Sequence, residues 1–275
     1  MGLILSLDNS IHSFNRAGFV GLLDQYTGAA AGYSLRKLSV NTTNVIRVRR
    51  SSDNAEADFT TDEITDGTLL AWVGNTASDN GLVTTWYDQS GNSNDATQGT
   101  AASQPKIVDA GVLVEENGRP AVDFDGVDDF LKNTTISISQ PITHFTTVKL
   151  KTIAGLNRIC DGGFSSTRHS LYVNSDFFYF SGLSLSQGFL ENTNQNLHYF
   201  LANDTSSEAA INGSSATVGS GGTNDLGGLT MAARWDGIAQ FGDLLYQEHI
   251  IYPSNQSSNR TNIETNINDY YSIYP

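Results

Sequence analysis

Leu82-Val83-Thr84-Thr85-Trp86-Tyr87-Asp88-Gln89-Ser90-Gly91-Asn92-Ser93-Asn94-Asp95-Ala96-Thr97-Gln98 decides how this chain reads. Its first part is a β-branched and aromatic run of strand length, suited to a buried pleated surface. Its second part breaks into Asp, Ser, Gly and Asn, whose short side chains bond the local backbone and close tight turns. A buried strand thus delivers a polar loop. The loop offers a carboxylate, an amide and several Asn side chains beside two rings, a set better matched to sugar hydroxyls than to a phosphate or a metal. The plainer reading is that Asp88, Ser90 and Asn92 satisfy the turn's own backbone.

Outward from this stretch the composition agrees with strands and turns. The chain has 275 residues, of which 39% are hydrophobic and only 16% charged, so its polar surface must come largely from Ser, Thr, Asn and Gln. Glycine at 26 residues and aromatics at 10% favour many short strands over long helices. A formal net charge of -14 argues against a nucleic-acid backbone as partner and suits a neutral ligand. The single cysteine, Cys160, excludes an internal disulfide framework and a zinc knuckle. No run approaches the roughly eighteen apolar residues of a membrane span, and Met1 to Leu7 lacks the length and basic flank of a secretory signal.

Strand-length segments bounded by Gly, Asn, Ser or Asp recur along the chain, among them Phe145 to Leu150, Phe177 to Phe180, Leu197 to Leu201, Leu229 to Ala233 and Leu244 to Ile251. The expectation is an all-β protein: an antiparallel β-sandwich of concanavalin A-like or jelly-roll type. Tyr33 to Leu38 and Val45 to Val48 read as a hairpin, and Asn117-Gly118 as a hairpin turn. Arg47 and Arg49 fall on one face of their strand, where Asp53, Glu56 and Asp58 pair with them. Residues 1–32 read as an N-terminal arm or lead-in helix and residues 33–275 as the sandwich domain. Ile263, Ile267, Tyr270 and Tyr271 form one stripe of a closing helix over 258–271.

The chemistry-bearing groups are sparse. Asp123 to Asp129 alternates acidic and apolar residues around Gly126, but the carboxylates miss the alternating positions of a calcium loop, so a plain turn is expected and no metal. His12, His144, His169, His198 and His249 match no nucleophile or zinc spacing. Asp88, Asp161, Asp236 and Glu248 are the carboxylates weighed for acid–base work. The candidate glycan-binding residues are Trp86, Tyr87, Asp88, Gln89, Asn92, Asn94, Trp235 and Asp236. Trp86 also reads as a core residue, and Trp235, beside Asp236-Gly237, as the better exposed ring.

Two resemblances rest on these residues. From Ala121-Val122-Asp123-Phe124-Asp125-Gly126 through Met231-Ala232-Ala233-Arg234-Trp235-Asp236-Gly237 to Tyr252, about half the chain resembles a laminin-G or concanavalin A-like lectin/glucanase sandwich. Tyr33 to Arg36 with Thr84 to Asn94, centred on Tyr-Asp-Gln-Ser-Gly-Asn, is similar to the amino-terminal region of the α-L-arabinofuranosidase B catalytic domain. That family carries a paired-cysteine segment leading to a nucleophilic glutamate. Here Cys160-Asp161-Gly162-Gly163-Phe164 has neither the second cysteine nor the glutamate, so the resemblance implies the fold without its activity.

The ending, Arg260 to Tyr271, resembles proteins of tailed bacteriophages. The resulting expectation is a non-enzymatic virion protein of fibre, tail or capsid surface, assembled in the host cytoplasm. It has no catalytic residue and no cofactor, and its lectin-like module binds host or environmental glycans. Its partners are other virion proteins through the N-terminal arm and further copies of itself, with no nucleic acid and no membrane insertion. A glycoside hydrolase related to arabinofuranosidases and a purely structural capsid decoration protein are the alternatives.

Overall fold

The computed structural model describes residues 18–153 and 156–275. One nearly closed antiparallel sheet folds over so that a front and a back layer face one another, and the all-β sandwich-like fold expected from the sequence is the observed one. The back sheet is built around the ten-residue strand Asp243–Tyr252. On one side of it lie Ile142–Leu150, Gln195–Ala202, Ser207–Ile211 and Thr217–Gly219 in that order. Its other side is shared end to end by Ala31–Ser34 and Val122–Asp125.

The front sheet begins with Glu56–Thr60, Asn44–Arg50, Gly81–Trp86, Ala96–Thr97 and Leu131–Ile138. It continues through Leu226–Met231, Asn157–Asp161, Ser170–Val173, Asp176–Phe180 and Ser184–Leu190. Lys106–Asp109 pairs with Gly81–Trp86 and, through Lys106 opposite Asp123, with the back sheet, so the ladder continues around that edge. Continuity removes unpaired strand groups there.

Alternation along the strands decides what fills the space between the sheets. Val48, Val83, Trp86, Leu131 and Leu229 from the front meet Tyr33, Phe124, Val148, Phe200, Tyr246 and Ile251 from the back in one continuous core. The outer face of the back sheet is buried as well. Phe145, Leu197, Tyr199, Leu201, Ile250 and Tyr252 pack there against Ile263, Ile267 and Tyr271 of the helix Arg260–Tyr271 and against Leu22 and Leu23. Strands covered on both faces lose the polar alternation of a half-exposed strand, which accounts for the nearly unbroken burial of Ile142–Leu150 and Gln195–Ala202. The closing helix matches its expected position within two residues.

A buried ion pair fastens the third layer. Arg36 meets Glu248 through two parallel bonds, Nε to Oε2 at 2.7 Å and Nη2 to Oε1 at 2.9 Å. Glu248 also accepts from Ser34 Oγ at 2.8 Å and Tyr271 Oη at 3.3 Å, so its oxygens are satisfied where water is excluded.

The structure corrects one pairing. Residues around Tyr33 and Val45 do not form a hairpin: Ala31–Ser34 belongs to the back sheet and Asn44–Arg50 to the front. Both segments have the alternation of strands, but alternation alone does not say which partner they meet. Asn117 and Gly118 adopt φ of 53° and 68° in a two-residue turn between Glu115–Glu116 and Arg119–Pro120, as their sequence demands. Arg47 pairs with Asp58 and Glu56 across its strand, and Arg50 with Asp53; Arg49 instead bonds Gln104 and Asn54. Residues 1–17 of the expected arm lie outside the described residues. The part within them contains the four-residue helix Leu22–Gln25 and, from Ala31, the first strand.

Candidate functional site

Gly81–Trp86 carries the loop at its end, and its last residue is fully buried. Trp86 meets Tyr33 edge-on at 6.3 Å between centroids and Tyr246 at 5.9 Å, so it belongs to the core and offers no face to a ligand. Tyr87 donates its hydroxyl to Asp58 Oδ1 at 2.7 Å, and burial together with that carboxylate pushes its pKa up to about 12. Asp88 is engaged on both oxygens: Oδ1 accepts from Gly32 N and Ser90 N at 2.8 Å each, and Oδ2 from Ser90 Oγ at 2.7 Å and Asn94 N at 3.1 Å.

Gln89 is a clasp. Its Oε1 accepts from Leu38 N at 2.7 Å and Thr42 Oγ1 at 3.0 Å, while Nε2 donates to Ser34 O at 2.8 Å and Arg36 O at 3.0 Å. Asn92 and Asn94 both donate to Ala30 O, at 3.2 and 2.9 Å. The loop therefore sutures the first back-sheet strand to the front sheet, the self-satisfying use that its Asx-rich sequence allows. Two clefts flank it. One of about 340 Å³ is lined by residues including Thr43, Tyr87, Ser93 and Asp95; one of about 470 Å³ by residues including Ala29, Asn92, Asn94 and Thr135.

A second constellation forms where Leu226–Met231 lies beside Asn157–Asp161. Asp161 is completely buried and accepts from Gly162 N at 2.9 Å, Arg168 Nη2 at 2.7 Å and Trp235 N at 3.2 Å. Trp235 is thereby folded over the strand end, and its carbonyl accepts from Lys132 Nζ at 2.8 Å. Asp236 pairs with Arg234, whose guanidinium holds the carboxyl below its ordinary range, and its side chain is 15% exposed. Asp161 and Trp235-Asp236, which are 74 residues apart at their hydrogen bond, thus occupy one corner. The expected site residues divide between this corner and the loop. Lys132 and Thr135 of one front strand reach Trp235 and Asn94 respectively, so that strand connects the two groups.

The remaining candidates have other surroundings. Glu248 is the buried partner of Arg36. Cys160 is buried and its thiol is pushed up to about 12 by that burial, which leaves it protonated and unreactive. Asp125, Asp128 and Asp129 bring ligand oxygens within 4.8 Å of one another, close enough to share a cation. Asp129 is raised to about 7, first by burial and then by the charge of Asp125.

Three of the histidines form an arrangement that spacing did not foretell. Asn224 O, His169, His144, His249 and Tyr246 make a buried chain with steps of 2.8, 3.4, 3.1 and 2.8 Å. Arg158, Arg168, Tyr172 and Phe180 around a further cleft were also missed; the available signal was the charged pair Asp161 and Arg168 bracketing a Gly and Ser turn.

No protein-family model matches the sequence, and no curated protein matches it. Solved structures do. A GH54 α-L-arabinofuranosidase soaked with a cyclic sulfate inhibitor superposes with a TM-score of 0.66 at 13% identity, over 90% of this chain and 63% of that one. An arabinofuranosidase complexed with arabinofuranosyl-α-1,2-xylobiose gives 0.61 at 14% identity, with the same coverage. The likeness is one of fold. A Trypanosoma rangeli sialidase matches at 0.47 and 15% identity over 67% of this chain and 31% of that one. This chain thus spans under two thirds of the length of the arabinofuranosidase chains it matches.

These matches overturn the expectation of a non-enzymatic bacteriophage virion protein, because the architecture is that of solved glycoside hydrolases. The expectation rested on the lectin-like strand order, the acidic surface, the phage-like ending and the glutamate missing after Cys160. Distant segments do bring Asp161 and the Trp235-Asp236 pair together, a convergence that no single segment of the sequence displays.

Proposed function

We propose that the protein is a glycoside hydrolase with arabinofuranosidase-like architecture, acting at the Trp235-Asp236 corner. The observation that carries this reading is the fold likeness to an arabinofuranosidase across 90% of the chain. The convergence of Asp161 with Trp235-Asp236 supports it. Of the two carboxylates Asp236 is the exposed one, so it is assigned to the sugar; kept ionised by Arg234, it serves as nucleophile or base. Asp161 is a positioning residue that holds the Trp235 backbone and Arg168. Trp235 supplies a ring for the apolar face of a sugar.

The test is sugar release from 4-nitrophenyl α-L-arabinofuranoside, arabinan and arabinoxylan. Asp236→Asn is expected to lower kcat by about 10²- to 10⁴-fold with unchanged melting, whereas Asp88→Asn changes stability and leaves kcat near that of the unaltered chain. Absence of turnover by the unaltered chain on all three substrates would sink the reading.

A further inference from the structure

One cleft runs against the acidic character of a chain with net charge -14. It holds about 280 Å³ and is lined by residues including Arg158, Arg168, Tyr172, Asn174, Phe180 and Ser184. The two arginines are not equivalent. Arg168 is neutralised by Asp161, 2.7 Å away. Arg158, only 8% exposed, donates Nε to Gln240 Oε1 at 2.8 Å and Nη1 to Ser170 Oγ at 2.6 Å, both neutral acceptors. Among the described residues it forms no ion pair, and its Nη2 donates to no protein group.

A guanidinium buried with no carboxylate at ion-pair distance is costly. Its stacking over Tyr172, 4.7 Å from the ring centroid, recovers only part of that cost. Burial draws the Arg158 pKa below its ordinary value, although the charge of Asp161, which Arg168 holds at ion-pair distance, acts in the other direction. The site has the charge of an anion receptor, rings on its walls, and hydroxyl and amide groups at Ser184 and Asn174.

We infer that this cleft binds an anionic sugar residue, whose carboxylate or sulfate ester supplies the counter-ion that Arg158 lacks. Arg158 is fixed in orientation by Gln240 and Ser170, so a free guanidinium edge is presented without further ordering. Arg168, through Asp161, joins the cleft to the Trp235 backbone, placing the anionic residue next to the corner assigned to hydrolysis. The sugar part of this inference rests on the hydrolase reading; the charge part rests on the cleft alone.

Calorimetric titration of the full chain with galacturonate trimer, its methyl ester, galactose 6-sulfate and neutral arabinotriose tests it. The acid trimer is expected to bind at least about tenfold tighter than its uncharged ester, with affinity falling as salt is raised. Arg158→Gln is expected to abolish that preference while leaving ester binding unchanged. Tight binding of galactose 6-sulfate with weak binding of the uronate would support the site and assign the anion as a sulfate ester. Equal affinity for acid and ester, with no binding of the sulfate, overturns the inference, as does failure of both anions to bind. Should Arg158→Gln not fold, the acid and ester comparison on the unaltered chain still decides. Arabinofuranoside turnover measured alongside separates this outcome from failure of the hydrolase reading.

Discussion

Trp86 and Asp129 show how single side chains carry opposite debts in this core. Trp86 fills the space between Tyr33 and Tyr246, but its Nε1 is buried without a hydrogen-bond partner. Trp86→Phe keeps a ring and removes the orphaned donor, and should cost under about 1.5 kcal/mol in urea denaturation, whereas Trp86→Ala should cost about 3 to 5. Burial, with the charge of Asp125 beside it, raises the pKa of Asp129 to about 7, so the folded chain prefers it protonated. Stability from this group is complete below the unfolded value and is lost as pH rises from about 4 through 7. Asp129→Asn should therefore stabilise the protein at pH 8, on the order of 2 kcal/mol, and change little at pH 4; equal effects at both would refute the assignment. Both residues were visible in the sequence, Trp86 by its apolar run and Asp129 by its acidic turn. What spacing could not reveal was Arg158, whose lack of a carboxylate partner exists only once the strands have chosen neighbours.

Among the elements, strand existence was more legible than strand partnership. Asp243–Tyr252, Ile142–Leu150 and the closing helix follow from local pattern. The misplaced hairpin near Tyr33 failed because Ala31–Ser34 pairs with a strand more than two hundred residues later, for which no local signal exists. The loop after Trp86 was legible as a turn, and its bonds to Gly32, Ser34, Arg36 and Leu38 are what fix that distant pairing. The helix depends on Arg36 and Glu248 beneath it. Arg36→Ala should cost about 3 to 5 kcal/mol by leaving Glu248 buried without its cation, whereas Arg36→Met combined with Glu248→Leu should cost markedly less. A double-mutant cycle followed by thermal melting checks this, and additive losses would contradict it.

At the scale of the molecule, four buried histidines among the described residues tie the sandwich to pH. Burial lowers His169 to about 4 and His198 and His249 to about 3, and it depresses His144 as well, with the neighbouring rings adding to that effect. Their contribution is complete above the unfolded value near 6.5 and is lost as pH falls below it toward 4. Asp129 works in the opposite direction across that window, so the effect is clearest in the Asp129→Asn background. There, denaturation midpoints should begin to drop near pH 6.5, and a midpoint constant down to pH 5 would show the histidines are not buried neutral. The placement of Asp243–Tyr252 has a further consequence, for biosynthesis. Three strands translated far earlier, Ala31–Ser34, Val122–Asp125 and Ile142–Leu150, wait for Asp243–Tyr252 as their partner. Until Asp243–Tyr252 has been translated those edges stay open, and open strand edges are where edge-to-edge association begins.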